Sequence, residues 1–175
     1  MNIITTPMCY QILDIAGIKN YSIVKPSKLC DADIAITLQE TKTKIPTIKL
    51  KLNTYTQILE SIDKLVKYFD TNKNLVIINQ IINENNKLHT NNTNRKNIKV
   101  KVYTNFLKDI AEDLGYTIVD KGYDYVIYPD YLKEEINKYN TLVEIPSHKN
   151  TSKKPLERIK ARYEIMEDKI PCMKQ

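Results

Sequence analysis

The sequence predicts an α/β fold made of two similar Rossmann-like βαβ halves joined by a helical segment. Three observations carry this. First, T-P-M-C-Y-Q-I-L-D-I-A-G at Thr6–Gly17 is faintly copied as T-N-F-L-K-D-I-A-E-D-L-G at Thr104–Gly115, an offset of 98 (104 − 6). Second, an apolar strand-like run precedes each copy, Ile3-Ile4 in one and Val100-Lys101-Val102 in the other. Third, each copy is followed by a run ending in Ile-Val (Ser22-Ile23-Val24; Thr117-Ile118-Val119), then by an Asp-led strand (Asp33–Ile36; Asp124–Ile127) and a fourth strand beside an Ile-Pro pair (Ile45-Pro46; Ile145-Pro146). Strands alternating with helical patterns read as βαβ units on a parallel sheet.

The first half, 1–53, opens with a strand at Asn2–Thr5. Thr6 is a suitable helix N-cap and Pro7 suits the first helical position, where the missing N–H costs nothing. Met8, Ile12, Ile15 and Ala16 follow at helical spacing, and Gly17 fits a left-handed stop. Asp33–Thr37 and Thr47–Leu52 read as strands. Residues 54–96 form a helical connector ending in a polar linker. Thr54 caps a run carrying Ile58, Ile62, Leu65, Val66 and Phe69, and Thr71 is the expected cap of a second helix with Leu75, Ile78, Ile81 and Ile82. The segment 91–97 has no apolar residue and reads as the linker.

The second half, 97–150, repeats the order. It has a strand at Lys99–Tyr103, a cap at Thr104, a helix over Phe106–Leu114 and a stop at Gly115. Strands follow at Tyr116–Val119, Tyr125–Tyr128 and Leu142–Ile145, with a short helix expected over 130–139. Residues 151–175 form a C-terminal docking helix that starts at Pro155 and carries the stripe Leu156, Ile159, Tyr163 and Met166.

Composition narrows the function classes. The 175 residues are 42% hydrophobic, enough for a core, and no run approaches the roughly 20 apolar residues of a membrane span. No basic-then-apolar N-terminal pattern suggests export, and three cysteines without metal-type spacing fit a reducing cytoplasm. The net charge of +6 comes from 27 basic residues, of which only Arg95, Arg158 and Arg162 are arginine. The lysines do not cluster on one element, which favours a solvated surface over a nucleic-acid footprint. No G-x-G-x-x-G, P-loop or G-x-S-x-G occurs among three glycines, which argues against a glycine-cradled nucleotide.

In open α/β sheets ligands bind beyond the carboxyl ends of the strands, where helix N-termini offer free N–H groups to anions. This places Thr6, Cys9, Thr104, Ser147 and His148 at candidate ligand-binding positions, with Arg158 and Arg162, four apart on one helix face, supplying charge. Each has a plainer reading. Cys9 is either a nucleophile or soft ligand activated by a helix start, or a small buried residue, as its counterpart Leu107 suggests. His148 is a base or ligand, or a loop histidine. The arginines clamp an oxyanion, or pair with Glu157, Glu164 or Asp168 on the surface. Asp124 and Asp130 form an acid–base or metal pair, or Asp130 caps the following turn. Cys30 is expected in the core, and Cys172 is given no role.

The lobe order, with D-A-D-I-A-I-T at 31–37, K-I-P-T-I at 44–48 and the helical block Thr54–Leu88, resembles two-lobed helical-backbone binding proteins and chelatase-like domains. That resemblance implies a metal chelate or tetrapyrrole held between lobes. T-P-M-C-Y-Q-I-L-D-I-A-G, I-P-S-H and P-L-E-R-I-K-A-R-Y-E look like small proteins of methanogenic archaea of the methanogenesis-marker type, implying an accessory role in cofactor handling. The leading expectation is a cytoplasmic binding or accessory protein with an anionic small molecule, cofactor or metal chelate between its halves. The alternatives are a small transferase or hydrolase with Cys9 as nucleophile and His148 as base, and a protein–protein adaptor anchored by Tyr123, Tyr125, Tyr128 and Tyr131. No cofactor is specified.

Overall fold

The computed structural model describes residues 1–90, 95–133, 141–147 and 150–171. The chain divides into two compact units, residues 1–83 with 153–157 and residues 84–152 with 158–175. Each contains a four-stranded, wholly parallel sheet.

In the first unit the strands are β1 (Ile3–Thr5), β2 (Ser22–Ile23), β3 (Ile34–Leu38) and β4 (Thr47–Leu50), in the order β2-β1-β3-β4. Ile4 pairs with Ala35, and Ala35 with Thr47. Helix α1 (Tyr10–Ile15) follows β1, and α2 (Tyr55–Phe69) packs against α1. Ile58, Ile62 and Leu65 of α2 are fully buried, as their spacing predicts. Thr54 accepts from Gln57 N at 3.1 Å while Gln57 Oε1 accepts from Asn53 N, a reciprocal cap. Helix α3 (Leu75–His89) is capped by Asn74, whose Oδ1 accepts from Ile77 N, not by Thr71. Thr71 instead donates to Ala16 O at 2.6 Å, pinning the chain beyond α2 to the end of α1.

In the second unit β5 (Lys99–Val102), β6 (Thr117–Ile118), β7 (Tyr125–Pro129) and β8 (Leu142–Ile145) take the order β6-β5-β7-β8, the same topology. Helix α4 (Asn105–Asp113) follows β5. Helix α5 (Pro155–Lys169) buries Ile159, Tyr163, Met166 and the following Ile170, while Leu156 is half-buried. Arg95 is 3% exposed and bonds Leu88 O, Leu114 O and Glu167.

The repeat is visible in individual bonds. After α1, Ala16 N, Gly17 N and Ile18 N bond to Ile12 O, Asp14 O and Leu13 O. After α4, Leu114 N, Gly115 N and Tyr116 N bond to Ile110 O, Glu112 O and Ala111 O, each partner displaced by the same offset. Asp33 Oδ2 accepts from Asn2 N at 2.6 Å and Asp124 Oδ2 from Lys99 N at 2.8 Å, tying strand three to strand one in each half.

Several expectations need correction. Thr6 does not cap α1: Cys9 N bonds to Thr6 O, a tight turn forms around Pro7, and the helix starts at Tyr10 with Cys9 at the cap. The two Ile-Pro pairs are not equivalent, since Ile45-Pro46 precedes β4 whereas Ile145 ends β8. Cys30 is exposed rather than in the core. At Asp130–Leu132 the chain makes a 3₁₀ turn; the rest of the helix expected there, 134–139, lies outside the described residues, as do linker residues 91–94.

Candidate functional site

The two halves are alike at their helix ends and differ at their helix starts. The starts lie at the carboxyl edges of the sheets, where an α/β protein binds its ligand.

At the first edge the polar groups are satisfied internally. Thr5 Oγ1 donates to Ile36 O at 2.8 Å, Lys49 Nζ reaches Thr37 Oγ1 at 3.4 Å, and Thr6 is buried beside them in the chain. Cys9 has no exposed surface and belongs to the core. Helix α1 spans only six residues.

The second edge differs. Register places its groups in a row. Val102 pairs with Ile127 and Pro129 with Ile145, so Thr104, Asp130 and Pro146 lie just beyond the ends of three adjacent strands. The chain leaves β5 toward β6 on one side and returns to β7 on the other, so the topological switch falls between Thr104 and Asp130. Thr104 takes the N-cap position of α4 in extended backbone, yet its side chain caps no N–H, and Lys108 N bonds to Thr104 O. Thr104 Oγ1 is buried without a hydrogen-bond partner among the described residues.

Helix α5 contributes Arg158 and Arg162, 1% and 0% exposed, so the surface-pairing alternative does not describe them. Arg158 Nη1 donates to Ser152 O at 3.1 Å. Arg162 Nε and Nη2 both donate to Pro146 O, at 3.2 and 3.1 Å. Its guanidinium carbon lies 4.7 Å from the centroid of the Phe106 ring in the first turn of α4. The head group therefore touches both the chain just after β8 and the Phe106 ring in the first turn of α4. The two donors on one edge of the fork are used by Pro146, and Nη1 at the other end has no hydrogen-bond partner among the described residues.

Burial first and the Arg158 charge second bring the Arg162 pKa down to about 9, with only the Asp130 carboxylate opposing them. A cation so desolvated and so near a like charge favours an added anion. Asp130 is itself desolvated, but the Ser147 hydroxyl, the Asn150 amide and the Ser147 and Tyr131 N–H groups around it favour its ionised form and hold its carboxyl below the usual range. Asn150 Nδ2 donates to Asp130 Oδ2 at 2.5 Å, whereas Oδ1 is buried and unpartnered among the described residues.

Thr104, Ser147, Arg158 and Arg162 belong to the second unit, and Thr6 and Cys9 to the first. His148 and Cys172 lie outside the described residues. Asp124 and Asp130 do not form a pair. They sit at opposite ends of β7, about 20 Å apart at some 3.3 Å per residue, and Asp124 is engaged by Lys99 N. Of the tyrosines, Tyr131 is exposed while Tyr128 is buried and bonds Glu144 at 3.4 Å. Phe106 was not singled out from sequence, and Asp130 was singled out only as a partner for Asp124 or as a cap. Among the described residues no group of three His, Cys, Asp or Glu side chains could hold a metal ion, and no helix is long and apolar enough to cross a membrane.

The MJ0786 family C-terminal domain, named for a Methanocaldococcus protein, matches residues 96–174, the part of the chain that carries this edge. A search among curated proteins gave no match. Among solved structures, a Zn(II)-bound mutant variant of AdcAII from Streptococcus pneumoniae is similar, with a TM-score of 0.59 and 10% identity over 97% of this chain and 99% of that one. Nitrogenase Cp1 at pH 6.5 is similar with a TM-score of 0.57 and 14% identity over 97% of this chain, which spans 59% of the nitrogenase chain. These likenesses are of fold, and the fold is two Rossmann-like α/β halves.

Proposed function

We propose that this protein is a non-enzymatic binding or accessory module for an anionic small molecule, cofactor or anionic metal chelate, held at the carboxyl edge of the second sheet. The observation that carries the reading is the Arg162 guanidinium, without exposed surface and with its Nη1 end open beside the uncapped start of α4. A buried cation with unused donors is costly unless an oxyanion joins it. Thr104 Oγ1 and the first N–H groups of α4 would share that oxyanion, with Ser147 and Arg158 bounding it. A bare cation fits poorly beside two guanidinium groups. The neighbour bound to Zn(II) supports a binding role in general, not a metal at this edge. The family match supports the methanogen-type resemblance; a cytoplasmic role in cofactor handling is the proposal that goes with it.

The test is calorimetric titration with inorganic phosphate and citrate, on the wild type and on Arg162→Met. Saturable binding by the wild type, lost in a folded variant, supports the reading. Binding by neither protein, or equally by both, overturns it.

A further inference from the structure

The second edge holds two kinds of unfilled group. Arg162 Nη1 is a donor, Thr104 Oγ1 both donates and accepts, and Asp130 Oδ1 only accepts; all three are buried and without partners among the described residues. All three belong to the same sheet edge. Thr104 and Asp130 lie just beyond the adjacent ends of β5 and β7, and Arg162 is anchored on either side of them by Phe106 and Pro146. A ligand offering only acceptor oxygens would satisfy the arginine and leave the Asp130 oxygen facing another negative charge. That juxtaposition costs more than an unfilled bond, because both anions are removed from water.

We infer that this edge selects an oxyanion bearing its own O–H or N–H donor, such as a protonated phosphoryl group or a hydroxy- or amino-carboxylate, and that Asp130 Oδ1 accepts that donor while Arg162 Nη1 and Thr104 take the anionic oxygens. The inference rests on the anion-binding reading above and adds the identity of the group that discriminates among anions. Asp130 is held ready for this. Asn150 on its other oxygen and the Ser147 hydroxyl keep it ionised and fixed. The first half has no counterpart: Asp130 follows β7, whereas the residue after β3 is Gln39, whose N–H bonds to Leu50 O. Gln39 carries no carboxylate.

Two matched pairs of probes test this, phosphate against sulfate and glycolate against acetate. Within each pair the first member has an O–H at neutral pH and the second does not. Titrations are run on the wild type and on Asp130→Asn, with thermal unfolding to show that the variant is folded. A hydrogen bond to a buried charged group is worth about a tenfold or greater preference for the donor-bearing probe. The inference expects that preference in at least one pair for the wild type, and its loss or reversal in Asp130→Asn, whose amide donates to the fully ionised probe. The pair that shows it distinguishes a phosphoryl group from a hydroxy acid. Equal binding of both members in both pairs overturns the inference and leaves the anion-binding reading standing. A preference unchanged in Asp130→Asn overturns the role of Asp130. Binding of none of the four overturns both.

Discussion

The guanidinium of Arg162 lies 4.7 Å from the centroid of the Phe106 ring, joining helix α5 to the first turn of α4. The ring covers one side of the cation while Pro146 O takes one edge, leaving Nη1 as the open end. Phe106→Leu keeps the apolar volume and removes the π face. A partly desolvated cation–π contact is worth about 1–2 kcal/mol. Phosphate affinity should therefore fall roughly fivefold to thirtyfold by titration, with little change in the unfolding midpoint.

Arg162 also makes a prediction about pH. Its folded-state pKa of about 9 lies below the ordinary arginine value, so the fold disfavours the charged form. That penalty is fully present below pH 9. It diminishes as pH rises above 9, because the unfolded chain then binds more protons than the folded one. Arg162→Met without ligand should be at least as stable as the wild type at pH 7, since a buried cation replaced by an apolar chain is often neutral or stabilising. Denaturant titrations between pH 7 and 11 should show the gap closing at the alkaline end.

Asp113 behaves in the opposite sense. Burial raises its pKa, although the Tyr163 hydroxyl and His89 at 3.9 Å lower it in part. A carboxyl raised in the fold favours the native state at low pH and loses that contribution as pH rises through its folded value. Asp113→Asn should gain stability relative to the wild type as pH rises from 3 to 7, with the order reversing or the gap vanishing in acid. Urea unfolding across that range checks it.

Gly17 and Gly122, two of the three glycines with positive φ, separate strain from crowding. Gly17 has φ of 79° and an added Cβ would meet Asn72 O at 2.3 Å, a backbone atom that cannot move aside. Gly122 has φ of 66° and nothing within 4 Å. Gly122→Ala should cost about 1 kcal/mol for the left-handed conformation alone. Gly17→Ala should cost clearly more, since Asn74 N bonds to Ile15 O and holds this chain against the end of α1. Equal midpoints for the two variants would contradict the packing described here.

The fold was largely legible because it is written twice. The Thr-to-Gly segments, the Asp at the start of the third strand and the β8 and α5 boundaries can all be read without coordinates, since periodicity and turn chemistry are local. What was not legible was set by tertiary contact. Thr6 and Thr104 look alike as caps, but the turn at Pro7 delays α1 to Tyr10 whereas α4 begins at Asn105. The two Ile-Pro pairs look alike and sit at opposite ends of their strands. Arg158 and Arg162 were read as one face, but the alternative of a solvated face fails because the face belongs to the core. A signal for this was present: in a chain that uses lysine for nearly all its positive charge, Arg95, Arg158 and Arg162 are each at most 3% exposed. At a buried position a fixed fork of donors suits arginine better than lysine. Phe106 had no sequence signal, and Asp130 was read with the wrong partner, Asp124, since the role of each depends on what α5 brings to the edge.

The most direct test of the central claim is an amide-resolved NMR titration of the full chain with inorganic phosphate. Saturable shifts are expected of the backbone N–H groups of Asn105, Phe106 and Leu107 and of the Arg162 side chain, with the corresponding Met8 and Cys9 N–H groups unmoved. Shifts confined to surface lysines, or appearing equally at both helix starts, would contradict it.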